Sequence, residues 1–214
     1  VEAKLAESEE RWKFALEGAG DGVWDWNIQT GEALYSSRWK EMLGFTASEI
    51  GNTSAEWTNR VHPDDMPDTM AAIQAHIDGR TASAVAEFRM RRKDGSWRWV
   101  LGRGMVVSRT PDGRALRLVG TNTDITERKQ AQDALRDSEA FLSAILDSVF
   151  DQIAVIGHDG TIIRVNEHWR TFALENGIEA GKPAPHTDVG TNYLEACQVS
   201  SGNLADSGKN ARDG

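Results

Sequence analysis

Glu87-Phe88-Arg89-Met90-Arg91-Arg92-Lys93-Asp94-Gly95-Ser96-Trp97-Arg98-Trp99 reads as a hairpin. Ala86, Phe88 and Met90 alternate with Glu87, Arg89 and Arg91, the period of a strand with one face in a core and one in water. Lys93-Asp94-Gly95 breaks the alternation, and Asp-Gly supplies the positive φ angles of a tight turn. Outward from this turn, one strand spans 84–92 and the next 96–109. Thr110-Pro111-Asp112-Gly113 turns the chain again, and a third strand follows over 115–123.

Upstream, Trp24, Trp26 and Ile28 share one face of a strand over 23–28, and Gln29-Thr30-Gly31 turns it into a partner over 32–36. Ser37 is placed to cap a short helix through Trp39, Met42 and Leu43, stopped by Gly44. A second short helix is expected from Thr46 or Ser48, and another over 55–60. His62-Pro63-Asp64-Asp65 opens a longer helix to Ile77, ended by Asp78-Gly79. Two strands, several helices and a three-strand meander predict an α+β unit with a five-stranded antiparallel sheet. The helices would cover one face and enclose a pocket. Trp24, Trp26, Phe88, Met90, Trp97 and Trp99 are core candidates, some of them lining a site for an apolar or aromatic ligand. A filled core with no ligand fits the same pattern.

The unit is repeated. Leu5-Ala6-Glu7-Ser8-Glu9 returns as Leu135-Arg136-Asp137-Ser138-Glu139, a shift of 130 residues. The same shift pairs Trp12 with Leu142, Asp21 with Asp151, Val23 with Ile153 and Trp39 with Trp169; one residue of slippage pairs Gly31 with Gly160. A period this long means duplication of a whole folding unit. Each copy opens with a helix. Val1, Leu5, Ser8, Trp12 and Ala15 keep a 4-3 rhythm, as do Ala131, Leu135, Ser138, Leu142, Ile145 and Val149. Such a seam suits an amphipathic helix lying on its own domain and a dimerising signalling helix equally.

Bulk properties exclude several classes. The 214 residues carry a net charge of −9, which repels phosphate backbones. No apolar run reaches the roughly 20 residues of a membrane span. The N-terminus Val1-Glu2-Ala3-Lys4-Leu5 has no signal-peptide plan and no initiator Met, so the chain is expected to be a piece of something longer. A single cysteine, Cys197, rules out an internal disulfide framework or a multi-cysteine metal site, and is expected to pack rather than react.

Asp21-Gly22-Val23-Trp24-Asp25-Trp26, Tyr35-Ser36-Ser37-Arg38-Trp39, Leu43-Gly44-Phe45, His62-Pro63-Asp64-Asp65, the hairpin from Glu87 to Trp99, and Gly120-Thr121-Asn122-Thr123-Asp124-Ile125-Thr126-Glu127-Arg128-Lys129 follow one another from about residue 8 to 129. This series resembles the PAS family in its PAS-plus-PAC form. The resemblance implies a bacterial sensor module that passes a change to a diguanylate cyclase or a histidine kinase, as in two-component or cyclic di-GMP signalling. Neither a Gly-Gly-Asp-Glu-Phe signature nor kinase ATP-binding boxes occur in this chain. Residues 138–214 resemble a second, divergent PAS unit without its three closing strands, expected to be poorly stable alone. The expected organisation is a helix over 1–17, a PAS/PAC domain over 18–125, a signalling helix over 126–149 and an incomplete PAS unit over 150–214.

Individual signals carry little chemistry. His62-Pro63-Asp64-Asp65 suits a helix start better than a metal site, since Pro and acids belong in a first turn. Gly18, Gly20 and Gly22 run from helix into strand, the reverse of a dinucleotide loop, and read as a hinge. Gly102-Arg103-Gly104 marks a bulge or close packing. The stretch from Arg89 to Trp99 mixes five basic residues with two Trp but alternates as a half-solvated hairpin must, so no nucleic-acid partner is expected. His76 lies on the long helix, where haem-binding members of the family carry their ligand, but its flanking residues differ and a surface position is expected. Cys197 lacks the Asn-Cys-Arg-Phe setting of flavin-binding members. The chain is therefore expected to hold no haem, flavin or metal and no catalytic set. Its expected partners are a small-molecule ligand and a second copy, paired through 1–17 and 126–149, in the cytoplasm and without membrane contact by this segment. By the resemblance, Asp124, Ile125 and Thr126 relay strain from sheet to exit helix; their bland role is capping, worth ~1 kcal/mol.

Overall fold

The computed structural model describes residues 20–179 and 181–194. The helix expected over 1–17, the start of the glycine hinge at Gly18, and Cys197 lie outside the described residues. The chain divides into two compact units, residues 1–132 and 133–214.

In the first unit β1 (Gly22–Asn27) and β2 (Ala33–Tyr35) form a hairpin. Asn27 Oδ1 accepts from the Gln29 and Thr30 N–H groups, and Gly31 takes φ +75°, closing the turn. Three helices follow: α1 (Ser37–Met42), α2 (Ala55–Thr58) and α3 (Met66–Ile77). The meander β3 (Ala84–Arg91), β4 (Trp97–Arg109) and β5 (Ala115–Asp124) completes an antiparallel sheet of order β2-β1-β5-β4-β3. Register puts Phe88 opposite Val100, Met90 opposite Arg98, Gly104 opposite Gly120 and Trp24 opposite Gly120. One face of the sheet therefore carries Trp24, Phe88, Met90, Val100 and Leu118. Trp39, Met42 and Leu43 of α1 and its end pack on Phe88, Met90 and Val100, with Ile50 and Val61, to make the core. Burying such side chains contributes ~1.5–3 kcal/mol each.

Three local expectations need correction. The cap of α1 is Ser36, not Ser37: its Oγ accepts from Trp39 N–H at 3.2 Å and from Val23 N–H at 2.9 Å. One hydroxyl thus serves a helix start and a strand start, a tertiary demand that helix-cap rules do not see. Residues 46–50 form a turn rather than a helix, because Glu49 folds back onto the Thr46 N–H at 2.8 Å and pairs with Lys93. The long helix starts at Met66, so Asp64 and Asp65 precede its first turn; Pro67, not Pro63, sits inside that turn. Of the two readings of Gly102 and Gly104, close packing holds: a Cβ there would meet Phe88 at 2.7 Å and Trp24 at 2.6 Å, while the irregularity of β4 lies at 106–109.

α4 (Thr126–Ser148) starts in the first unit and ends in the second. The second unit contains β6 (Ala154–Ile156), β7 (Ile162–Val165) and α5 (Glu167–Glu175). Among its described residues the sheet has two strands. Asn166, fully buried, caps α5. No helix among the described residues is long and apolar enough to cross a membrane.

Candidate functional site

Between α3 and the inner face of the sheet lies a cavity of about 140 Å³. Trp24 and Trp26 enter it from β1, Phe88 from β3, Leu118 and Asn122 from β5, and Thr69, Met70 and Ile73 from α3. Gly102 and Gly104 leave its wall flat, so the Trp24 and Phe88 rings can lie close to the strand backbone. Trp57 meets Phe88 edge-on, with ring centroids 5.9 Å apart. Asn122 is fully buried; its Oδ1 accepts from Trp24 Nε1 at 2.9 Å. Burial pushes the Tyr35 hydroxyl up to about 12, so it stays protonated and donates to Thr53 O at 3.0 Å.

The six candidate aromatic and sulfur side chains are split by this geometry. Trp24, Trp26 and Phe88 line the cavity. Met90 is fully buried in the core, its Sδ 3.7 Å from Asn122 Nδ2, and is not part of the cavity wall. Trp97 and Trp99 lie on the opposite face: their neighbours Arg98 and Val100 take the inward positions opposite Met90 and Phe88. Trp97 is exposed and packs at a tilt against His62, with ring centroids 4.5 Å apart. Trp99 lies under Arg89 at 5.4 Å and Lys129 at 4.8 Å.

That outer face joins the cavity cover to the exit helix. Asp65, beside the start of α3, holds Arg89 through both oxygens, with Oδ1 2.6 Å from Nη2, and also accepts the Arg89 N–H at 2.8 Å. The Arg89 guanidinium draws the Asp65 carboxyl below its ordinary value. Arg89 and Lys129 both lie over Trp99. Lys129 then binds Glu87 at 2.7 Å and Arg128 binds it at 2.6 Å, and Lys129 holds the Glu87 carboxyl low. Carboxylate, guanidinium, indole and ammonium thus run from α3 to the first turn of α4.

Asp124, Ile125 and Thr126 sit at the junction itself. Asp124 accepts the Thr126 N–H at 3.0 Å and pairs with Arg98 at 2.9 Å. Ile125 is buried and donates its N–H to Trp99 O at 3.0 Å, while Thr126 Oγ1 accepts the Trp99 N–H at 3.1 Å. Strand β4 and the start of α4 are therefore stitched by two bonds to one residue.

His76 is a correction: it is buried, not on the surface. Val106 N–H donates to its Nε2 at 2.9 Å, and its Nδ1 donates to Thr81 O at 2.8 Å. The ring closes the backbone where β4 loses its regular register, and both nitrogens are used. The basic stretch is also divided. Arg89 turns to Asp65, Arg92 to Asp94 and Lys93 to Glu49, so carboxylates meet most of its charge.

Residues 32–122 match the family described as the PAS fold. A solved structure of a sensory box histidine kinase/response regulator from Burkholderia thailandensis is 36% identical, covering 62% of this chain and 97% of that chain with a TM-score of 0.55. The chain belongs to the PAS family, and its first unit is a PAS sensor domain. Sensor protein FixL of Bradyrhizobium diazoefficiens is 29% identical over 72% of this chain, and the probable diguanylate cyclase DgcE of Escherichia coli is 28% identical over 69%. The chain spans 30% of the first relative's length and 13% of the second's.

Proposed function

We propose that this chain is the cytoplasmic sensing segment of a bacterial signalling protein. Occupancy of the α3–sheet cavity biases the first unit between two states, and α4 carries the bias to an effector, a diguanylate cyclase or a histidine kinase. The observation that carries this reading is the continuous path from the cavity cover to α4: Asp65, Arg89, Trp99, Lys129. A ligand that shifts α3 acts on Asp65, and Asp65 is the fixed end of that path. Asp124, Ile125 and Thr126 are the relay residues proper, because β4 cannot move at Trp99 without moving the first turn of α4. The second unit is read as an incomplete PAS unit that receives the far end of α4. Its cap and hairpin repeat those of the first unit, which supports that reading.

A ligand-free dimerisation scaffold is the second reading, favoured by one observation. Leu135, Leu142 and Ile145, at seam spacing on α4, are 62%, 51% and 46% exposed. A second copy of the helix would cover them. Native mass spectrometry and an absorption spectrum of the purified chain separate the two. A molecule released on denaturation supports sensing, whereas a dimer with nothing bound favours the scaffold.

A further inference from the structure

We propose that the cavity takes an uncharged, single-ring aromatic molecule that carries one hydrogen-bond acceptor. The inference rests on the sensor reading and names the chemical class of its input. Size comes first. A cavity of about 140 Å³ matches the ~150 Å³ hole that accommodates benzene in another protein. It falls well below the ~300 Å³ at which pockets for drug-sized ligands begin. Fused polycyclic groups would have to displace α3.

Charge comes second. None of the side chains forming the wall is Asp, Glu, Lys, Arg or His. A charged ligand would lose its hydration and find no counter-ion. Trp24, Trp26, Trp57 and Phe88 offer ring faces and edges instead, the environment that favours a flat π system over an aliphatic chain of equal volume.

Polarity comes third. Three of the four hydroxyls of the wall, all but that of Ser54, have already placed their protons: Tyr35 on Thr53 O, Thr58 on Ala55 O and Thr69 on Asp65 O. Two buried N–H donors lack a good acceptor. Trp26 Nε1 is buried without a partner, and Asn122 Nδ2 meets only the weak acceptor Met90 Sδ. Both belong to side chains of the cavity wall. A guest with a carbonyl, ether or phenolic oxygen gains most by meeting one of these donors, through a small shift of the side chain that carries it.

The test uses the full chain and three fluorine-labelled probes followed by NMR: 4-fluoroacetophenone, its shape-matched partner without the acceptor, 1-fluoro-4-isopropylbenzene, and 4-fluorobenzoate at pH 7. The two neutral probes bind saturably and the benzoate does not. Trp26→Phe keeps a ring and removes the donor. It lowers the affinity ratio of ketone to isopropyl probe by about 5- to 10-fold, the worth of one hydrogen bond. Ala72→Phe fills the cavity and abolishes binding of both. Should Trp26→Phe misfold, the wild-type Trp26 indole N–H resonance serves instead: it moves downfield with the ketone and not with the isopropyl probe. Binding of benzoate, or an unchanged ratio and an unmoved resonance, overturns the ligand class while leaving the cavity as the sensor input. Failure of all probes with a different molecule found in native mass spectrometry does the same. Failure of all probes with nothing bound overturns the sensor reading as well.

Discussion

In the first unit Ser36 Oγ accepts from the N–H groups of Val23 and Trp39; in the second, Asn166 Oδ1 accepts from those of Ile153 and Trp169. Ser36 N–H returns to Val23 O at 2.9 Å, and Asn166 N–H to Ile153 O at 3.0 Å. Past the hairpin the likeness continues, with Ser54 N–H on Gly31 O and Tyr193 N–H on Gly160 O, both at 2.9 Å. A single side chain in each unit thus locks a strand start to a helix start. Beyond this joint the units differ. Asn166 has an amide where Ser36 has a hydroxyl, and its Nδ2 gathers the carbonyls of Leu146, Val149 and Asp151 at the end of α4. The first unit closes its sheet with β3, β4 and β5, and its cavity needs all three: Phe88, Gly102 and Leu118 come one from each. The joint is a local device that occurs in both units; the cavity is a long-range device, described in the first unit.

Substitutions can break this likeness from either side. Gly120→Ala is expected to have the largest effect, because the new Cβ would run into the Arg103 carbonyl and the Trp24 ring. A loss of ~4 kcal/mol is expected in the first unit, above the ~1–3 kcal/mol usual for overpacking because one clash is with backbone. Hydrogen exchange should report that loss in β1 and β5 while the Ile153 amide keeps its protection.

Asn166→Ala comes next. It strips two N–H groups and three carbonyls of a buried partner, and ~3 kcal/mol should be lost from the second unit in denaturant titration. Ser36→Ala removes a cap with no amide side and should cost ~1–2 kcal/mol in the first. Asn166→Ser would fall between wild type and Asn166→Ala, since it restores the two acceptors that Ser36 provides. Equal losses for Asn166→Ala and Ser36→Ala would mean that the extra bonds of Asn166 contribute nothing.

Asp65→Asn should cost ~2 kcal/mol, the range for hydrogen bonds to a charged group. The sign of the pH dependence comes from the lowered Asp65 carboxyl. A group depressed on folding adds stability above its ordinary value of 3.8, and that stability is lost as pH falls through the lower folded value. The wild type should therefore weaken in acid, and Asp65→Asn should weaken less steeply over the same range in thermal melts. Thr126→Ala is the smallest effect. It leaves the Trp99 N–H without its side-chain acceptor and should cost ~1 kcal/mol, read as faster exchange at that amide.

The strands and their turns were legible because alternation and Asp-Gly signals are local: residues 84–91 and 97–109 needed nothing from elsewhere. The helix starts were less legible. Ser36 is chosen over Ser37 by Val23, a residue 13 positions away. The cavity wall was half legible. Trp24, Trp26 and Phe88 follow from strand parity, but the inward or outward sense of Trp97 and Trp99 depends on the register across the 92–96 loop, which places Arg98 rather than Trp97 opposite Met90. Knowing that loop's length would have turned both indoles outward. His76 could not be read at all. Its burial depends on the irregularity at 106–109 in β4, and a histidine on a helix carries no mark of a distant strand's defect.

The central claim is that the cover of the cavity and the exit helix are coupled across the outer face. Hydrogen exchange on the full chain, comparing wild type with Asp65→Asn, tests it most directly. The Lys129 N–H, bonded to Ile125 O at 3.0 Å, reports the first turn of α4. The coupling predicts that this amide exchanges faster in Asp65→Asn, together with those at the start of α3 and around Arg89. Faster exchange confined to α3 and β3, with Lys129 unchanged, would contradict it.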